Sequence, residues 1–94
     1  MVKHLVCWNL QEEAKNEQTV AEMRRRLCAL KGRIPGLLTV EVHAGFAGEW
    51  DVLLFTEFSS RAALETYRTH PEHLAVQQYI HSVICARTSF DFED

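Results

Sequence analysis

Long apolar runs are missing from this chain. No stretch approaches the ~18 consecutive apolar residues of a membrane-crossing helix, and "MVKHLVCWNLQEE" is too short and too interrupted for a signal peptide. Cytoplasm is the expected location. Basic excess is also missing: ten Lys and Arg against thirteen Asp and Glu give a formal charge of -3. That removes the electrostatic pull on which phosphate-backbone binding depends, so neither nucleic acid nor a membrane is an expected partner. Cysteine is scarce, and the three thiols, Cys7, Cys28 and Cys85, form an odd set without CxxC spacing. Neither a disulfide framework nor a zinc knuckle is signalled, and buried free thiols in a reducing compartment are expected. Arg24-Arg25-Arg26 is the one basic cluster, and its position inside a helical pattern spreads it over different sides as a solvated surface.

What is present is ordinary globular composition, 47% apolar and 24% charged, which argues against disorder, fibrous repeats and coiled coil. Ninety-four residues make one domain, residues 1–94, with a modest core and marginal stability that a partner subunit would improve. From Val2 to Leu10 the residues His4, Val6 and Trp8 alternate with Leu5 and Cys7, a strand with apolar side chains on both faces. Val20, Met23, Leu27, Leu30 and Ile34 then recur at helical spacing over Glu17 to Ile34. Thr19 and Glu22 fit a capping box at its start, and Gly32 and Pro35-Gly36 stop it.

Two β-branched and aromatic runs follow, Leu37 to Ala44 and Trp50 to Phe58, joined as a hairpin through Gly45 and Gly48. The second is nearly continuous in apolar residues, as a strand covered on both sides would be. Ser59-Ser60 can cap a short helix to Tyr67 with Ala63, Leu64 and Tyr67 on one side. Pro71 starts another helix, whose stripe is His73, Val76, Ile80 and Val83, before a last strand "VICARTSFDF". The order is β-α-β-β-α-β with the second helix broken in two. It predicts an α+β, ferredoxin-like fold: a four-stranded antiparallel sheet with its helices on one face. The other face is expected to carry apolar residues, so a second copy should cover it in a two-fold homodimer.

Four short stretches carry a family resemblance: "VKHLV" at the start, "IPG" after the first helix, "YRTHPEH" after the third strand and "FDFE" at the end. Their joint order and spacing resembles the stress-responsive α/β barrel, or Dabb, proteins over essentially the whole chain. The resemblance implies a homodimer whose two sheets form a barrel. It also implies two kinds of function. Some members are stress-associated proteins that oligomerise, whereas one plant member is a cofactor-free enzyme that closes a linear polyketide by aldol chemistry. On the pattern of that enzyme, Tyr67 and His73 match its catalytic tyrosine and histidine, and His4 matches a pocket histidine between sheet and helices. Where it has a pocket histidine on the third strand and a pocket tyrosine on the first helix, this chain has Val52 and Leu27, so the resemblance does not extend to the substrate.

The residues themselves lead to the same place. His73 is in phase with Val76 and Ile80, Tyr67 lies on the inward side of its short helix, and His4 shares a strand face with Val6 and Trp8. Helices covering that face would make the three converge on a small hydrophobic pocket walled by Val6, Trp8, Leu27 and Leu54. An imidazole with a pKa near ~6.5 can take a proton at neutral pH, and a phenol near ~10 can donate to a substrate oxygen. His73 is then the base or the group that orients Tyr67, and proton transfer beside a carbonyl is the chemistry.

The expected function is a homodimer that binds, or acts without a cofactor on, a polyketide-like or aromatic carbonyl compound. A non-catalytic assembly protein and, by fold analogy, a cofactor-independent monooxygenase are the alternatives. Structural readings stand beside these. Thr69, His70 or both cap a helix start, His73 bonds a carbonyl, and Tyr67 is a core ring with its hydroxyl satisfied. His70 and His73, with Glu72 adjacent and His4 as a third ligand, could instead hold a metal, although the helix start explains His-Pro-x-His better. His43 and His81 read as solvated, and Trp8 and Trp50 as core or interface anchors.

Overall fold

In a computed structural model describing Met1–Asp94, the chain forms β1 (Val2–Leu10), α1 (Glu17–Cys28), β2 (Leu37–Ala44), β3 (Val52–Phe58), α2 (Arg61–Thr69), α3 (Pro71–Val83) and β4 (Ile84–Glu93). The strands make one antiparallel sheet in the order β2-β3-β1-β4. No helix is long and apolar enough to cross a membrane. The ferredoxin-like α+β arrangement is thus the one the element order predicts.

Strand alternation decides what each face does. Along β1, Val2, His4, Val6, Trp8 and Leu10 are buried, and along β3 so are Val52, Leu54, Thr56 and Phe58. These side chains meet Met23 and Leu27 of α1, Leu64 and Tyr67 of α2, and Ile80 of α3 in a single core. Phe58 and Met23 are wholly enclosed, and burial of such a side chain stabilises the fold by roughly 1.5–3 kcal/mol.

The opposite face carries an uncovered apolar row, beside which Lys3 pairs with Glu57 at 3.6 Å. Register places Phe90 of β4, Leu5 of β1 and Phe55 of β3 in one row, and Phe92 beside Lys3 in the next. Phe90 is 67% exposed and Phe92 41%, their rings 6.0 Å apart. On β3, Leu53 and Phe55 are only half-buried, so this strand is covered on one side within a single chain.

Several local expectations are corrected. α1 ends at Cys28, and Leu30 and Ile34 reach the core from the turns that follow. Its cap is Asn16, whose side chain accepts from the Thr19 amide at 2.8 Å; Glu22 instead holds Arg25 and Arg26. The arginine cluster is not simply solvated. Arg24 Nε donates to the Val42 carbonyl at 3.0 Å, and the Arg26 guanidinium lies 4.3 Å over the Tyr79 ring, tying α1 to β2 and α3. The cysteines are free, but Cys85 is exposed and Cys7 and Cys28 are half-buried. A short 3-10 turn, Glu12–Ala14, carries no periodic signal long enough to read.

Gly36 of "IPG" has φ +82°, and a Cβ there would stand 2.5 Å from that of Ala63. Only glycine permits both the turn and the close seat of α2. In the hairpin the left-handed residue is Gly48, not Gly45.

Candidate functional site

β1 ends its inward row against α2 and α3, and a cavity of about 160 Å³ remains there. All seven residues expected at the pocket line it: His4, Val6, Trp8, Leu27, Leu54, Tyr67 and His73. Trp8 and Ile80 form walls without filling the space.

Local sequence explains how the polar groups arrive. Ser60 caps α2, accepting from the Ala63 amide at 3.1 Å, and about two turns later Tyr67 points inward and is 3% exposed. His70 then ends α2 and caps α3, its Nδ1 accepting from the Glu72 amide at 3.1 Å. That is the capping role expected for His70. Pro71 fixes the first turn of α3, and two residues later His73 faces the core, 8% exposed.

The rings pack tightly. His73 stacks on Tyr67 with centroids 3.9 Å apart and planes 29° from parallel, and His4 meets Tyr67 edge-on at 6.2 Å. Stacking places the imidazole over the phenol face, so His73 holds Tyr67 by contact between rings. His73 Nδ1 is buried with no hydrogen-bond partner. The expectation of a core histidine satisfied by a carbonyl is therefore corrected: the Arg68 and Tyr67 carbonyls lie near enough to favour the charged ring, but neither accepts from Nδ1.

His4 has a partner that the sequence did not single out. Its Nδ1 contacts Asp91 Oδ1, and the other carboxylate oxygen accepts from Arg68 Nη2 at 3.0 Å. A carboxylate on Nδ1 fixes the tautomer and leaves the lone pair on Nε2. Asp91 was visible only as part of the closing "FDFE"; its meeting with His4 follows from strand register. Arg68, Val76, Gln77, Ile80, His81 and Arg87 complete the lining. His81 is exposed as expected yet reaches the cavity, whereas His43 is exposed on β2 beside Glu41.

Electrostatics sets the protonation states. Burial pushes both His4 and His73 below the ordinary imidazole value, more than the Asp91 carboxylate raises the first or backbone carbonyls the second. Both rings are neutral at pH 7 and can accept a proton. Burial also raises the Tyr67 phenol, which stays protonated and can only donate. His70, His73 and His4 do not gather as a metal-binding group: no cluster of three or more His, Cys, Asp or Glu able to hold a metal is present.

The stress responsive A/B barrel domain (Dabb) matches residues 2–94. The chain belongs to that family. No curated protein matches this Dabb chain. Solved structures do. A dimeric protein of unknown function with a ferredoxin-like fold from Bacteroides fragilis is 28% identical, with TM-score 0.84 over 99% of this chain and 95% of that one. A Dabb protein from Mesorhizobium loti is 22% identical, with TM-score 0.73 over 99% and 95%. An antibiotic biosynthesis monooxygenase is 17% identical, with TM-score 0.81 over 100% and 98%, a likeness of fold alone.

Proposed function

We propose that this Dabb protein is a homodimer whose subunits each enclose a small pocket for an aromatic or polyketide-like carbonyl compound, and that the pocket enolises its ligand without a cofactor. The observation that carries the reading is the convergence of His4, Tyr67 and His73 on one cavity, with Asp91 behind His4. The ligand carbonyl accepts a hydrogen bond from the Tyr67 hydroxyl. His4 Nε2 takes the proton from the adjacent carbon, and the electron pair moves onto the carbonyl oxygen. Asp91 stabilises the imidazolium that forms, as a carboxylate beside a catalytic imidazole does. His73 positions Tyr67 through the stack. Returning the proton to carbon completes exchange, and attack of the enolate on a second carbonyl would close a ring.

The dimer is supported by the uncovered row of Leu5, Phe55 and Phe90, and by the dimeric state named for the Bacteroides relative. A Phe on each of two facing sheets would fill the layer between them, about 10 Å thick in packed sheets.

The test is exchange of the α-protons of phenylacetone in heavy water, followed by NMR. The wild type should accelerate exchange, and Tyr67→Phe and His4→Gln should each lose about 10²–10⁴ of that acceleration, the usual contribution of positioned acid-base groups. His73→Ala should lose less and should broaden the Tyr67 ring signals. Equal rates in the wild type and both variants would remove the assigned roles and leave assembly as the function.

A further inference from the structure

Rim charge says more about the pocket's ligand than its walls do. Thirteen residues line the cavity, and among them are Arg68, Arg87 and three histidines but no carboxylate. The two arginines differ in what already holds them. Arg68 is engaged by Asp91 at 3.0 Å and Glu65 at 3.4 Å. Arg87 lies opposite Trp8 on the helix-facing side of β4, is exposed, and makes no ion pair and no side-chain hydrogen bond. A guanidinium with five donors thus stands unmatched at the mouth of a space whose interior is Val6, Leu27, Leu54 and Ile80.

Size narrows the body of the ligand. The cavity of about 160 Å³ compares with the ~150 Å³ that admits benzene in an apolar protein interior. One ring fits inside, and a substituent on that ring meets the rim.

We propose that the pocket takes a single-ring compound bearing a carboxylate, which Arg87 pairs at the rim while the ring lies among the apolar walls. The assignment rests on the reading of this cavity as a ligand pocket and names the charge of what it binds. The guanidinium charge is felt inside, where it opposes protonation of His4 and favours ionisation of Tyr67. A bound carboxylate would cancel that effect. Arginine suits the task because its planar fork matches a carboxylate with two parallel hydrogen bonds.

Benzoate and benzamide share a shape and differ in charge, so NMR titration with each tests the proposal. The wild type should prefer benzoate by about tenfold, near the value of one charge-assisted hydrogen bond beyond a neutral one. In Arg87→Gln the preference should fall to within about twofold, with benzamide affinity unchanged, and Arg87→Lys should recover part of it. Arg87 is exposed, so neither substitution should disturb folding. A wild type that binds both equally, or an Arg87→Gln variant that keeps the preference, overturns the carboxylate assignment and leaves the pocket standing. If neither compound shifts the His4 and Tyr67 signals of the wild type, the pocket and the assignment fall together.

Discussion

The two faces of the sheet are built from alternate residues of the same strands and meet opposite fates. On β1, His4, Val6 and Trp8 are sealed under three helices, while Leu5 and Cys7 lie half-open with nothing above them. Beneath the helices lie the polar exceptions: on the sheet His4, held by Asp91, and Thr56, which donates to the His4 carbonyl at 2.7 Å, and on α2 and α3 the Tyr67 phenol and His73, the latter with an unpartnered nitrogen. Buried polar groups that are not fully satisfied cost stability, and in a chain of this size such a cost points to use. The open face has no such groups at its centre, only aliphatic and aromatic side chains in a row. On the proposed reading, one face serves chemistry and the other contact.

Phe58 and Phe90 separate these functions most sharply. Phe58→Ala removes a wholly enclosed ring from the sealed side and should lower unfolding free energy by about 3–5 kcal/mol in denaturant titration. Phe90→Asp places a charge at the β4 end of the open row and should convert the dimer to monomer in size-exclusion chromatography while the far-ultraviolet circular dichroism spectrum stays native. If Phe90→Asp unfolds the chain, or leaves the dimer intact, the division of labour between the faces is wrong.

Asp91→Asn probes the sealed face more finely. It keeps the shape but removes the charge that stabilises an imidazolium on His4, so the exchange rate should fall by about tenfold or more with dimer mass unchanged. An unaltered rate would shift the base role from His4 to His73.

Acid should act on the sealed face as well. His4 and His73 both titrate lower in the folded protein than the ordinary ~6.5 of the unfolded chain. The unfolded state then binds more protons in that interval, so stability is full above about pH 6.5 and declines as pH falls toward the lowered folded values. Chemical denaturation at a series of pH values should show the decline, and it should shrink in a His73→Ala variant. The smallest expected effect is local: Asn16→Ala removes the α1 cap and should cost about 1 kcal/mol without touching either face.

Much of this was legible in the sequence, because both periodicities are strong. Alternation in "VKHLVCWNL" put His4 with Val6 and Trp8, and spacing of three and four put His73 with Val76 and Ile80. Pro71 and His70 marked the helix start through chemistry local to the turn. What periodicity cannot carry is long-range register. His4 and Asp91 are 87 positions apart and meet only because β4 pairs with β1, a fact that no short window contains. The end of α1 was misread for a related reason: Leu30 and Ile34 keep the helical spacing although turns deliver them to the core. The cap was misplaced because Thr19 and Glu22 satisfy the capping pattern three residues inside the true start at Asn16.

Sedimentation equilibrium of the unmodified protein at micromolar concentration tests the division between the faces most directly. A dimer closed through the open faces gives a single species of twice the 10.8 kDa chain mass. A stable species of one chain mass, folded and with Leu5, Phe55 and Phe90 in water, would contradict it.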